Sequence, residues 1–245
     1  MTDKLKKGEV TAAITYIFAL AFFLFLISGL AGCGKEHDIG PLCEAPEIAS
    51  SSQYIVNGSP STDRRSTVWV GGSNGWCSGT VVGPHTVLTA AHCQGMNRVC
   101  LELNKACVHV DEDLEHPHYA FPLSDLRLLY VAGLPVLEVP VATLGDHSEC
   151  VSLLAQGFGY GSDGELHERP VEHVYRDGQS IYGSESICNG DSGGPLYALD
   201  SDGAYTLVGV SSFGLNEPYE CLGGAVGFVD LTLNDNIQWI EENLR

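Results

Sequence analysis

The stretch that decides the reading is Cys188-Asn189-Gly190-Asp191-Ser192-Gly193-Gly194-Pro195. It sets one serine between an aspartate and a pair of glycines. Glycine tolerates positive φ and lets the backbone come close to a ligand. A serine hydroxyl becomes an effective nucleophile only when a base takes its proton. Such a stretch asks for a base elsewhere in the chain. It also asks for donors to receive the negative charge that develops on an attacked carbonyl.

A base stands in Leu88-Thr89-Ala90-Ala91-His92-Cys93, and a carboxylate to orient it in Ser124-Asp125-Leu126-Arg127-Leu128-Leu129. An imidazole titrates near neutral pH, so it can serve first as base and then as acid. Taken in the chain order His, Asp, Ser, the three strings resemble the trypsin/chymotrypsin family of serine proteases. Asp125 alone reads equally well as a surface turn residue. The preceding His116-Pro117 and the leucine-rich run behind it match the family pattern. The resemblance implies Ser192 as nucleophile, His92 as base and Asp125 as the group that orients it. It implies an oxyanion hole made by the backbone N–H groups of Gly190 and Ser192. It makes Ser212 a hydrogen-bond donor to the triad aspartate. Ser212, Phe213 and Gly214 would pair with substrate backbone as an added strand, with Phe213 as an apolar wall.

For the specificity pocket, the resemblance puts Ser186 where trypsin-like members carry Asp. Without that carboxylate, a buried Lys or Arg head group would be an unpaired charge, which is costly. The expected P1 residue is therefore uncharged. Ile187 adds apolar bulk. Either Val226 or Gly227 fills the far wall. Val226 would shorten the pocket toward small aliphatic residues, and Gly227 would leave it deep enough for aromatics.

The chain has 245 residues, is 44% hydrophobic and 18% charged, and carries a formal net charge of −19. That length accommodates one or two units with real cores. The acidity argues against nucleic acid as a partner, because no basic surplus exists to displace counterions. It reads as a solubility feature before it reads as steering of basic substrates.

Residues 1–33 stand apart from the rest. Lys4, Lys6 and Lys7 precede an uncharged run over 10–30, long enough to span a bilayer. The run ends in Leu30-Ala31-Gly32-Cys33, which resembles the lipobox of bacterial lipoproteins and implies lipid on Cys33. An uncleaved helical anchor is the alternative. Gly34 after Cys33 implies outer-membrane sorting in a cell that has such a membrane. Both readings place the remainder outside the cytoplasm, membrane-anchored or secreted. Residues 34–54 read as an exposed linker or propeptide. The domain over 55–245 opens with Ile55-Val56-Asn57-Gly58, which resembles the mature N-terminus of the protease family. A strand followed by an Asn-Gly turn describes the same residues. The resemblance implies a cut before Ile55 and an ion pair between the freed α-amine and Asp191.

Short apolar runs separated by Gly, Pro, Asn and Asp predict an all-β domain. They include Val68-Trp69-Val70, Thr80-Val81-Val82, Thr86-Val87-Leu88, Val136-Leu137-Glu138-Val139 and Thr206-Leu207-Val208-Gly209-Val210. The family fold adds detail: two antiparallel Greek-key β-barrels with the site between them, and a C-terminal helix. The helix is expected over 234–244, capped by Asn234, with Ile237, Trp239, Ile240 and Leu244 on its apolar side.

Nine cysteines point to an oxidising compartment. The resemblance implies Cys77–Cys93 and Cys188–Cys221 bridges. Cys100 and Cys107 are near enough in sequence to close a small hairpin, which leaves Cys43 with Cys150. A zinc set of Cys93, Cys100, Cys107 and His109 is set aside, since exported thiols oxidise. Asp111, Glu112, Asp113 and Glu115 lack a calcium-loop pattern and read as a solvated acidic face. No metal or cofactor is expected. The expected function is a serine endopeptidase acting on proteins or peptides, held to a membrane by its N-terminal lipid or helix. The alternative is a catalytically inactive binding protein on the same fold. Inactive relatives usually lose a triad residue, and all three are present here.

Overall fold

The computed structural model describes residues 58–132, 143–144, 152–159, 162–172, 174–184, 187–200, 203–214 and 225–245. All of them fall within one compact unit, 39–245. A first short strand, β1 (Ser59–Pro60), precedes six longer strands, the first three of them rich in β-branched residues. These are β2 (Thr67–Gly72), β3 (Gly75–Gly83), β4 (Thr86–Thr89), β5 (Met96–Glu102), β6 (Lys105–Glu115) and β7 (Arg127–Val131). They close into a barrel in the order β2-β3-β4-β7-β6-β5. Val68, Val70, Val81, Val87, Val99, Leu129 and Val131 fill its interior. Branched side chains of this size suit the space inside a narrow barrel.

The second half contains β8 (Thr143–Leu144), β9 (Ser152–Gly157), β10 (His167–Pro170), β11 (Tyr175–Asp177), β12 (Ser180–Gly183), β13 (Pro195–Leu199), β14 (Tyr205–Gly214) and β15 (Val226–Asp230). With β1 they form a sheet ordered β1-β10-β9-β13-β14-β15-β12-β11, and β8 adds to β14. This corrects the expectation of two barrels: among the described residues one barrel is closed and the second sheet is open. Closure would require the two edge strands to meet with matched tilt and stagger. The edges are β1, two residues long and ending in Pro60, and β11, three residues carrying Arg176 and Asp177. A strand that short offers little ladder, and proline supplies no N–H donor.

Helix α1 (Asn234–Glu242) follows β15. Its N-cap is Leu233 and makes no side-chain capping bond, so Asn234 is the first helical residue instead of the cap. Trp239 and Ile240 are buried with Leu88, Leu128, Tyr197, Leu207, Val210 and Val229, a cluster that joins the barrel to the sheet. Leu244 lies past the helix end and is exposed. Among the described residues no helix is long and apolar enough to cross a membrane.

Candidate active site

Two ladder registers bring the singled-out residues together. β4 pairs with β7 so that Thr89 faces Arg127. The chain just beyond Thr89 therefore reaches the same barrel end as the chain just before Arg127, and His92 meets Asp125 there. β13 pairs with β14 so that Pro195 faces Val210. This puts the turn carrying Ser192 beside Ser212. The β14–β15 register shifts between Ser211 and Phe213, and such a bulge re-aims a side chain. Ser212 is the residue at that shift.

His92 Nδ1–H donates to Asp125 Oδ2 at 2.6 Å, and its backbone N–H donates to Oδ1 at 2.9 Å. The Ser212 hydroxyl donates to the same Oδ2 at 2.5 Å. Asp125 is fully buried, while the His92 side chain keeps partial solvent access. A carboxylate oxygen receiving these donors acts as acceptor, so the imidazole proton resides on Nδ1 and the Nε2 lone pair is left for another proton.

The loop holding Ser192 is held from several sides. Gly190 and Gly193 have φ of 95° and 79°, a region where a side chain is strained. Gly193 N–H donates to Ser211 O and Ser211 N–H to Gly194 O, both at 2.8 Å. Ser78 N–H donates to Ser192 O at 2.8 Å. Cys77 and Cys93 form a disulfide, and Cys93 Sγ lies 3.8 Å from the Ser192 carbonyl oxygen. This bridge fixes the His92 segment beside the Ser192 loop. Asp191 is fully buried, and Cys188 N–H donates to its Oδ2 at 2.9 Å. Burial pushes the Asp191 carboxyl up to about 7, against the opposing pull of its backbone hydrogen bonds. Its Oδ1 has no hydrogen-bond partner among the described residues.

Val226 and Gly227 point to opposite faces of β15, as neighbours on a strand must. Val226 packs in the cluster that Ile187 covers. Gly227 sits under Phe213, where an added Cβ would stand 2.2 Å from the ring. Gly214 pairs with Val226 in the ladder. Cys100 and Cys107, directly opposite across β5 and β6, are bridged. With Cys93 also bridged, three members of the zinc set have no free thiol. Cys188 is disulfide-bonded too. Asp113 and Glu115 both pair with Arg127, and Glu112 pairs with Arg245 at 2.5 Å. Cys33, Cys43, Ile55, Cys150, Ser186 and Cys221 lie outside the described residues.

Three features at the site escape a reading of the sequence. Ser78 and Trp76 lie on β3, either side of Cys77, and face Gly190. Phe121 meets the His92 ring edge-on, with centroids 5.7 Å apart. Rings then continue from Phe121 to Phe213 at 6.4 Å, to Tyr182 at 5.8 Å, and to Tyr175 stacked at 4.9 Å. The position of Trp76 and Ser78 beside Cys77 is the one available signal, because Cys77 is itself expected to bridge to the His92 loop.

A family model described as Trypsin matches residues 55–230. Serine protease 1 of Drosophila melanogaster is 26% identical over 231 residues, covering 77% of this chain and 85% of that protein. Human Kallikrein-4 is 26% identical over 238 residues, covering 81% of this chain and 90% of its own length. Trypsin-1 of Astacus astacus is 23% identical over 219 residues, covering 71% and 90%. The match spans the His92, Asp125 and Ser192 segments together, and on it the chain belongs to the trypsin family and is a serine endopeptidase, hydrolysing peptide bonds.

Proposed function

We propose that Ser192 Oγ attacks the scissile carbonyl while His92 Nε2 takes its proton. The carbonyl oxygen gains the negative charge and receives the N–H groups of Gly190 and Ser192. His92 then returns the proton to the leaving amine, which departs with the C–N bond's electron pair. Water repeats the sequence on the acyl-serine and frees the acid. Asp125 keeps the Nδ1 tautomer and offsets the imidazolium charge. The observation that carries this assignment is the set of three hydrogen bonds converging on buried Asp125, from His92 twice and Ser212 once.

The substrate is an extended peptide with a small uncharged P1 residue. Ser186 supplies no counter-charge for a basic side chain, and Val226 lies on the Ile187 side of β15. The row of rings from Phe121 through Phe213 and Tyr182 to Tyr175 supplies an apolar shelf for residues preceding P1. Half-exposed rings of this kind offer large contact area with little conformational freedom to lose.

Activation follows from a cut between Tyr54 and Ile55. The freed α-ammonium would meet Asp191, whose Oδ1 has no partner among the described residues. The Val226 wall disfavours self-cutting after Tyr54, since a tyrosine ring needs the deeper pocket. Residues 1–33 anchor the chain outside the cytoplasm by lipid on Cys33, and a Cys43–Cys150 bond retains the cut domain. The support is the Leu30-Ala31-Gly32-Cys33 string and the count of cysteines.

A fluorophosphonate probe tests the site. It should label the cut enzyme and leave Ser192→Ala unlabelled, and labelling of Ser192→Ala would refute the nucleophile. N-terminal sequencing of membrane-bound active protein tests the rest. An intact Tyr54-Ile55 bond in active enzyme would refute activation by cutting.

A further inference from the structure

We infer that Ser78 is a positioning residue for the oxyanion hole, acting through the carbonyl of Gly190. The inference rests on the proposed role of the Gly190 N–H. Ser78 lies in β3 and is fully buried. Its hydroxyl donates to Gly190 O at 2.9 Å and accepts from Phe158 N–H at 2.9 Å. Its backbone N–H donates to Ser192 O at 2.8 Å, and its own carbonyl accepts from Thr89 Oγ1 at 2.8 Å. One residue thus grips the nucleophile loop on both sides of Asp191. The backbone bond to Ser192 needs no particular side chain. The bond to Gly190 needs a hydroxyl.

Gly190 is where such a grip matters. At φ 95° it has no Cβ to restrict it, so its two torsions are soft. The N–H of Gly190 and its C=O are fixed relative to one another by those two torsions. Holding the C=O therefore also limits where the N–H points. The anchor is itself anchored. Phe158 N–H donates to Ser78 Oγ, and Phe158 O accepts Trp76 Nε1–H at 2.7 Å. Trp76 and Ser78, two apart on β3, share a face, and between them they hold both polar groups of the Phe158 backbone. Phe158 is buried against Trp69, Cys100 and Leu166. A relay of two bonds in one direction, Phe158 N–H to Ser78 O–H to Gly190 O, strengthens each member. Removing the hydroxyl leaves the buried Gly190 carbonyl without this donor and lets the loop turn.

The test compares Ser78→Ala with the parent enzyme, both counted by fluorophosphonate titration so that rates refer to folded sites. Peptide anilides with Ala or Val at P1 report kcat and KM. A peptide boronic acid of the same sequence reports affinity for a tetrahedral oxygen in the hole. We expect kcat to fall about 10- to 100-fold, less than the ~10²–10³ for losing a donor outright. KM should stay within about twofold, and boronate affinity should fall in step with kcat/KM. Unchanged kcat per titrated site, or a loss of kcat with boronate affinity retained, would overturn the inference. If Ser78→Ala does not fold, Ser78→Gly carries the same expectation and the same refutation. Ser192→Ala run alongside separates the two ideas. Activity surviving in Ser192→Ala sinks the site assignment, whereas a dead Ser192→Ala beside a fully active Ser78→Ala sinks only the role of Ser78.

Discussion

Gly157 leaves no room for a side chain beside Asp191: a Cβ built on it would stand 2.3 Å from Asp191 Oδ1 and 3.2 Å from Asp191 Cα. Gly159 closes the other side in the same way, 2.5 Å from Oδ2. The carboxyl next to Ser192 is therefore packed against bare backbone. Gly157→Ala must push the aspartate and its loop aside. Overpacking of this kind costs about 1–3 kcal/mol. We expect a lower thermal midpoint and a kcat/KM reduced about tenfold or more. Retention of both parent values would contradict this packing.

The same burial makes stability depend on pH. Asp191 moves from an ordinary 3.8 to about 7 in the folded chain. Between those values the native state holds a proton that the unfolded state has released. Stability contributed by this group is therefore present at low pH and declines as pH rises from about 4 to about 7. In uncut Ser192→Ala protein the thermal midpoint should drop across that window, and adding Asp191→Asn should remove the drop. A slope that persists unchanged after Asp191→Asn would assign it to other groups.

The bonds at Asp125 predict two unequal losses. Asp125→Asn offers the imidazole a donor in place of an acceptor oxygen and favours the wrong tautomer, so kcat should fall about 10⁴-fold. Ser212→Ala removes one of three bonds to a buried carboxyl, worth about 1–2 kcal/mol, so about a tenfold loss is expected. Steady-state kinetics on both variants check the order. A larger loss in Ser212→Ala than in Asp125→Asn would reverse the assignment.

Val226→Gly should deepen the P1 pocket. Burying an aromatic side chain is worth about 1.5–3 kcal/mol relative to exposure. We expect kcat/KM for P1 Phe to rise at least about tenfold relative to P1 Ala. P1 Arg should remain poor in parent and variant alike. A parent enzyme that prefers P1 Arg, or a variant with unchanged selectivity, would refute the pocket.

What the sequence determined by itself is local chemistry. The glycines around Ser192 declare a tight turn by themselves, a short-range demand, whereas Ser192, His92 and Asp125 point to a shared chemistry only when their three strings are read together. Of the barrel strands, β2, β3 and β4 showed as short apolar runs with branched residues, while β5, β6 and β7 did not. Tertiary structure decided everything that depends on which segments meet. Ser78 reads as any buried strand serine until the Gly190 carbonyl is beside it. The face of Val226 against Gly227 turns on a one-residue register, which alternation along a strand makes decisive. The row of rings draws on positions 121, 175, 182 and 213, whose spacing in the chain carries no period. Among the described residues the second sheet is open, with edge strands too short to meet, a property of pairing between distant segments that no single run of residues contains.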